Sequence, residues 1–439
     1  MRSGGGAMEL AIAKKAPLLT VLSGPAGGIA GAKRLTETQG WNKIITFDVG
    51  GTSLDCCVIL DSEPVEVHEA YIDDLPMQIP VFDIRTIGAG GGSIAKVVDG
   101  ILQVGPDSAG AVPGPVCYGA GGDQPTITDA SIVLGYLDPD NFLGGKVKTF
   151  PQLSHEAIKK SIAEPLGIST TQSAVRILEI LMAKTVGAVK QITIERGLDP
   201  HEFKLVAFGG AGPLIGPLVG REIGIESVVI PALPGTFSAV GMLMTDLEYE
   251  FSVTVLKPLG DGFRSELEPL IQSMKLKAEY VFEQQSVSEK DRIIVTKFDL
   301  RYRGQEHHLS VDVNDQDTVL SVVERFQSIH KERYGHSMDE PCEVASVRIK
   351  CFAKIQKPDF PRIAEQNGSP RPYGNREAFD FALGDLTNFM LYDRGNLGFG
   401  AEMVGPLIVQ ESAAATVVFS DQEVRVDEIG QLIVTRIMK

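Results

Sequence analysis

The sequence is short of the residues that staple a fold or hold a structural metal. Only five cysteines occur in 439 residues (Cys56, Cys57, Cys117, Cys342 and Cys351). Their number is odd and none is spaced CxxC, so neither a disulfide framework nor a zinc cluster is indicated. A reducing compartment suits them, and the cytoplasm is the expected location. Positive charge is scarce too: 41 Lys and Arg against 57 Asp and Glu leave a net charge of −16. That balance argues against nucleic acid or an anionic membrane as partner, because each selects a basic face. The longest uncharged stretch, 227–245, is broken by Pro231, Pro234, Gly235 and Gly241, and it reads as strand, turn and helix start rather than a membrane span. Two nucleotide signatures are also lacking. "GPAGGIAGAKR" places Lys33 after glycines without the spacing or hydroxyl of a P-loop, and "GAGGGS" and "GGAGP" miss the last glycine of the dinucleotide fingerprint.

What is abundant is glycine, 47 residues, against an ordinary share of roughly 7%, and much of it is clustered. In "ITFDVGGTSLD" (45–55) an apolar strand ends at Asp48 and turns through Gly50 and Gly51. Consecutive backbone N–H groups uncovered by side chains make an anion-binding nest, and Thr52 and Ser53 add hydroxyl donors. Asp48 and Asp55 then suit Mg²⁺ held through its waters, an ion that takes octahedral oxygen ligands and bridges phosphates. A tight hairpin turn with a solvated aspartate is the plainer alternative; aspartates on both sides of the turn favour the functional one. "VAFGGAGP" (206–213) repeats the logic: strand, then Gly209, Gly210, Ala211 and Gly212, then a proline suited to a first helical turn. There, close helix–strand packing competes evenly with ligand approach. "SGPAGG" (23–28), "TIGAGGGS" (86–93, with Gly90 and Gly91) and "CYGAGGDQPTITDA" (117–130, with Asp129) add further glycine turns. His307 and His308 are read as strand neighbours facing opposite ways and so unsuited to one shared metal. Glu195 and Arg196 read as a structural ion pair.

Residues 1–256 alternate β-branched runs, glycine turns and helical periodicity, an α/β pattern. Strands are expected at 43–49, 56–60, 205–208 and 226–230. A helix is expected over 171–196, where Val175, Leu178, Met182, Val186, Val189 and Ile192 recur at three- and four-residue steps. Residues 257–355 read as an α+β domain, with helices at 263–285 and 318–334, a hairpin from "RIIVTKFDLRYRG" to "HHLSVDV", and a strand at 343–354. Residues 356–439 read as a C-terminal β-rich domain that opens with a Pro- and Gly-spotted linker to 376.

As a set, "VLSGPAGGIAGA", "FDVGGTSLD", "DIRTIGAGGGSIA", "VGPDSAGAVPGPVCYGAGG", "PTITDASIVLGYLDPDNFLGG", "ERGLDPHEFKLVAFGGAGPL", "PGTFSAVGML", "RYRGQEHHLSV" and "GPLIVQE" resemble the hydantoinase A / 5-oxoprolinase family over nearly the whole chain. The resemblance implies an α/β fold of ribonuclease-H-like, actin-like ATPase type (the sugar kinase, Hsp70 and actin superfamily), with ATP between two halves, followed by α+β and small β-rich C-terminal domains. Members carry an earlier DxGGTxTD loop near their N-terminus. On that mapping Asp48–Asp55 is the second phosphate loop, with Asp48 and Asp55 catalytic and Mg²⁺-binding. Gly50, Gly51, Thr52, Ser53, Gly90, Gly91, Gly209, Gly210, Ala211 and Gly212 bind ATP, the last four on the adenosine side, so residues 1–439 hold one wall of the cleft. Leu54 departs from the threonine usual in the family. The implied activity is ATP-dependent opening of a cyclic amide (hydantoin, N-methylhydantoin or 5-oxoproline) by phosphoryl activation of the amide. The alternatives are a subunit of an ATP-dependent acetone or acetophenone carboxylase, and a truncated subunit that serves assembly only. A hydantoinase B-type subunit, a separately supplied N-terminal segment, or both are the implied partners, in an oligomer.

Overall fold

The computed structural model describes residues 1–67, 70–72, 75–77 and 79–437. Helix α1 (Ser23–Gln39) ends at Gly40 in the left-handed conformation. Strand β1 (Lys43–Val49) follows and turns directly into its antiparallel neighbour β2 (Leu54–Leu60). Strand β3 (Arg85–Ile87) lies against the start of β2. After helix α2 (Ile127–Val133) comes the long helix α3 (Thr170–Ile192), which opens with a reciprocal Ser169–Gln172 capping box and buries Ile177, Leu178, Leu181, Val189 and Ile192. It stops four residues earlier than its periodicity predicts, continuing as a 3-10 turn over Ile194–Arg196 that Gly197 closes. Strand β4 (Lys204–Phe208), helix α4 (Gly212–Ile223), strand β5 (Ser227–Ile230) and helix α5 (Phe237–Met242) complete this part.

Strand alternation sorts the side chains of β1. Ile45, Phe47 and Val49 join the core under α2, α3 and α4, while Ile44 joins a second core with α1 and α5. The "SGPAGG" glycines, read from sequence as a turn, lie inside α1. They bring α1 onto α5 so closely that a Cβ at Gly241 would stand 1.9 Å from the Gly27 carbonyl oxygen.

Strands β6 (Leu247–Pro258), β7 (Arg292–Tyr302), β8 (Leu309–Val313) and β9 (Cys342–Ala353) form a four-stranded sheet in the order β6-β9-β7-β8. Helices α6 (Phe263–Gln284) and α7 (Val319–Tyr334) contribute to its core, with Phe263, Leu267, Met274 and Phe326 packed against Phe298, Val347 and Ile349. The other face carries paired charges. Arg348 bonds Glu250 at 2.6 Å and Asp299 at 2.5 Å, and Arg2 from the start of the chain bonds Glu248 at 2.8 Å. These ions are largely desolvated, so each holds its partner: removing one would strand a buried charge.

The last seven strands are β10 (Gly374–Asp380), β11 (Asp385–Asp393), β12 (Glu402–Val404), β13 (Leu407–Gln410), β14 (Ala415–Val418), β15 (Gln422–Val426) and β16 (Leu432–Arg436). They divide between two sheets. Strands β10-β11-β13-β14 make one of their own, while β12, β15 and β16 extend the central sheet beside β5. The nine-stranded central sheet thus runs β12-β15-β16-β5-β4-β1-β2, followed by a short strand at Glu63–Pro64, with β3 also on β2. Pairing of β16 on β5, from Ser227 opposite Thr435 to Ile230 opposite Leu432, covers an edge that would otherwise expose a row of unpaired backbone groups. Among the described residues, no helix is long and apolar enough to cross a membrane.

Candidate active site

Strands β1 and β4 are parallel neighbours with Asp48 beside Phe208. Their outgoing turns therefore meet at the carboxyl edge of the sheet, the usual place for ligands in α/β folds. The first turn is tighter than its sequence predicts. The Gly50 amide donates to the Ser53 carbonyl at 3.1 Å, and β2 begins at Leu54, so Asp55 is a strand residue directly opposite Asp48. Across such a pair the two side chains share a face about 5 Å apart. Neither aspartate is fully solvated. Asp48 accepts from the Ser238 hydroxyl at 3.2 Å; Asp55 accepts from Thr86 at 2.5 Å and from Ser53 at 3.3 Å. Burial, then the charge of Asp55, push the Asp48 carboxyl up to about 6, with Ser238 opposing. Asp55 is raised by burial, against the hydroxyls of Thr86 and Ser53. No basic side chain figures among the influences on either.

The second turn is locked to the first. Ala211 donates its amide to the Val49 carbonyl at 3.0 Å. Gly209 has φ +82°, and a Cβ there would lie 2.4 Å from that same carbonyl and 2.6 Å from an Asp48 carboxylate oxygen. Only glycine fits both constraints. By contrast, a Cβ at Gly51 or Gly210 meets nothing within 4 Å, and one at Gly50 only the Ser53 carbonyl at 4.0 Å. Those positions are open to approach, although the Gly50 amide is already spent on Ser53. Thr52 is exposed, Ser53 is turned toward Asp55, and Gly212 opens α4. Gly90 and Gly91 lie against the first turn, but their amides are engaged: Gly90 donates to the Ser93 hydroxyl at 3.0 Å and Gly91 to the Gly50 carbonyl at 2.9 Å. They brace the turn from behind.

A cavity of about 210 Å³ opens beside the turns, lined by Gly50, Gly51, Gly91, Gly210 and Ala211. Its remaining wall is largely apolar, with Ile127, Leu137, Phe142, Leu214, Ile215 and the 413–415 alanines; Tyr118, Gln410 and Glu411 also line it. Leu214 and Ile215 belong to the α4 side of the sheet, whereas Asp48 meets Ser238 on the α5 side. The glycine turns are the ridge between the cavity and the carboxylate pair. Glu411 is raised to about 7 by burial, with Arg394 opposing. Arg394 reaches it at 3.4 Å and also donates to the carbonyls of Pro231 at 3.0 Å and Gly430 at 2.7 Å.

The fold brings together every glycine, hydroxyl and aspartate expected at the site. It also adds Ser238, Thr86, Gln410 and Glu411, which the sequence reading missed. Their only local signal is a polar residue interrupting an apolar or glycine-rich run. Other candidates lie elsewhere. Asp129 is fully buried and accepts from the amides of Val116, Cys117 and Thr126 and from the Ser154 hydroxyl, which holds the 115–118 turn. Arg196 pairs with Asp83 rather than Glu195. His307 and His308 precede β8 instead of lying on it, because the strand starts at Leu309, and His308 stands 3.7 Å from Asp299. Among the described residues no group of three or more His, Cys, Asp or Glu could hold a metal ion.

Residues 1–251 match the hydantoinase/oxoprolinase family and residues 263–435 match the hydantoinase/oxoprolinase C-terminal domain, so the chain belongs to the hydantoinase/oxoprolinase family. It is 31% identical to the caprolactamase subunit alpha of Pseudomonas jessenii over 94% of this chain and 61% of that subunit. To 5-oxoprolinase 1 of Arabidopsis thaliana it is 29% identical, over 91% of this chain and 33% of that protein. The nucleotide-free structure of acetone carboxylase superposes with a TM-score of 0.85 at 27% identity, covering 99% of this chain and 64% of that one. The fold is the actin-like ATPase α/β fold with C-terminal domains. The chain spans less than two thirds of each of these relatives.

Proposed function

We propose that this chain is the nucleotide-binding part of an ATP-dependent enzyme that opens a cyclic amide. One observation carries the reading: two turns whose backbone is open to approach at Gly51 and Gly210 meet at the carboxyl ends of parallel strands beside two adjacent carboxylates that, among the described residues, no basic side chain neutralises. The donor set fits Mg²⁺ and a polyphosphate. Two hard carboxylate oxygens suit an ion that keeps much of its water shell, and the bare amides suit phosphate oxygens. Asp48 and Asp55 would hold the metal, and Gly51, Thr52 and Gly210 the phosphates, with Gly50 shaping the turn through its bond to Ser53. Bound ATP supplies a phosphoryl group, which activates an amide otherwise protected by resonance. The residues of this chain contribute positioning and charge neutralisation, the main protein terms in phosphoryl transfer. Ser238 and Thr86 fix the carboxylate orientations, and the apolar cavity wall excludes water from one flank. The opposite bank of the cleft and the ring-opening chemistry are assigned to a segment or B-type subunit outside residues 1–439, with assembly in the cytoplasm, where five free, buried cysteines stay reduced.

The likeness to acetone carboxylase favours a second reading, in which the same phosphoryl chemistry activates a ketone enol or bicarbonate. The native assembly, given ATP and Mg²⁺, is expected to consume ATP in step with ring opening of hydantoin, N-methylhydantoin, 5-oxoproline or caprolactam. ATP consumption that instead requires acetone or acetophenone with bicarbonate would establish the second reading, and ATP-independent behaviour with all of these would refute both.

A further inference from the structure

The wall of the cavity beside the glycine turns includes a residue with a buried polar atom that has no partner among the described residues. Gln410 ends β13, its backbone held in register with Asp393 of β11 on one side and Ala415 of β14 on the other. The residue is 7% exposed and lines the cavity, and its carboxamide oxygen is buried without a hydrogen-bond partner. An acceptor shut away from water and left unmade is costly, and native proteins contain few of them, so each calls for a specific reason. The neighbouring Glu411 is occupied by Arg394; Asn141 and Ser412 also line the cavity, but among the described lining residues Gln410 alone carries a buried side-chain polar atom without a partner. Around it Phe142, Leu214 and Ile215 offer an apolar wall of the kind a flat heterocycle prefers, and the same cavity reaches the bare backbone at Gly51 and Gly210.

We infer that Gln410 is the base-reading residue of this site, its carboxamide pairing with the amino group and adjacent ring nitrogen of adenine. This rests on the nucleotide reading given above. A carboxamide carries an acceptor beside a donor, and adenine presents an amino donor beside a ring-nitrogen acceptor, the complementary order. Guanine presents the reverse order, a carbonyl oxygen beside a ring N–H, so in the same place it sets its carbonyl oxygen against the Gln410 oxygen unless the carboxamide turns end for end. A carboxylate at this position accepts twice, which suits the two adjacent N–H donors of guanine instead.

Binding of ATP and of GTP to the native assembly, by calorimetry with Mg²⁺ present, tests this with the wild type, Gln410→Met and Gln410→Glu, the two variants being close to the size of the original. The wild type is expected to prefer ATP. Gln410→Met is expected to lose about tenfold or more in ATP affinity with little change for GTP, and Gln410→Glu to move the ATP:GTP ratio further toward GTP. If the wild type binds ATP and both variants keep its ATP:GTP ratio, the role of Gln410 is refuted while the nucleotide site stands. Equal wild-type affinity for ATP and GTP refutes it likewise. A wild type that binds neither nucleotide overturns the nucleotide site itself, and the inference with it.

Discussion

Asp48 shows how a binding site is held at a cost to the fold. Its carboxyl sits at about 6 in the folded chain, against an ordinary value of 3.8, because burial and the Asp55 charge disfavour ionisation. A group raised on folding contributes stability that is full below its unfolded value and is lost as pH climbs through its folded one. Ionised Asp48 is therefore a liability at neutral pH in the absence of a cation. Asp48→Asn is expected to raise the unfolding free energy of the free protein by about 1–3 kcal/mol at pH 7 and by little at pH 4, while abolishing nucleotide-dependent turnover. Thermal unfolding of both proteins across that range checks it: a variant less stable than the wild type at pH 7 contradicts the account. The same titration gives Mg²⁺ binding a direction. Affinity rises as pH passes upward through about 6 in the wild type, and that limb disappears in the variant.

Gly209 and Gly210 are adjacent and opposite in kind. Gly209→Val would force a side chain into the Val49 carbonyl with φ in the left-handed region, and a loss of several kcal/mol of stability is expected. A valine at Gly210 points into open space, so that variant should unfold at the wild-type temperature yet lose nucleotide binding at least tenfold. Differential scanning calorimetry with a binding titration separates the two, and a destabilised Gly210→Val or a binding-competent one would count against the assignment.

At the scale of elements, the regular structure was largely legible. β1, β4, β5, α3, α6 and α7 follow their hydrophobic periodicity closely because each buries one local, patterned face. The two glycine turns were legible for a related reason: a strand end and its glycines are contiguous in sequence, with an aspartate added in the first turn and a helix-opening proline in the second. What escaped was non-local. The glycines of α1 read as a turn because nothing local says that α5 will pack onto them at carbonyl distance. Ser238 and Thr86 come to the carboxylates from α5 and β3, far along the chain from β1. Gln410 arrives from the C-terminal sheet, and no periodicity announces that it lines the cavity beside the first turn.

For the whole molecule, the same lesson concerns the last strands. Their alternation marks them as strands but carries no trace of which edge they join, and β15 and β16 join the central sheet beside β5. Val424, Val426, Leu432 and Val434 are at most 1% exposed there. Deleting residues 402–439 is thus expected to destroy cooperative folding of the nucleotide-site part itself, not merely to remove an appendage. Circular dichroism and solubility of the shortened chain report the outcome, and a soluble product with an intact unfolding transition would contradict it.

The cavity takes its glycine side from the central sheet and its Gln410–Ala415 side from the hairpin of the C-terminal sheet, with Arg394 bolting the two at Pro231, Gly430 and Glu411. Its mouth is consequently a joint: any tilt of one sheet on the other alters the gap across which a guest would be gripped, and the guanidinium sets the rest position of that jaw.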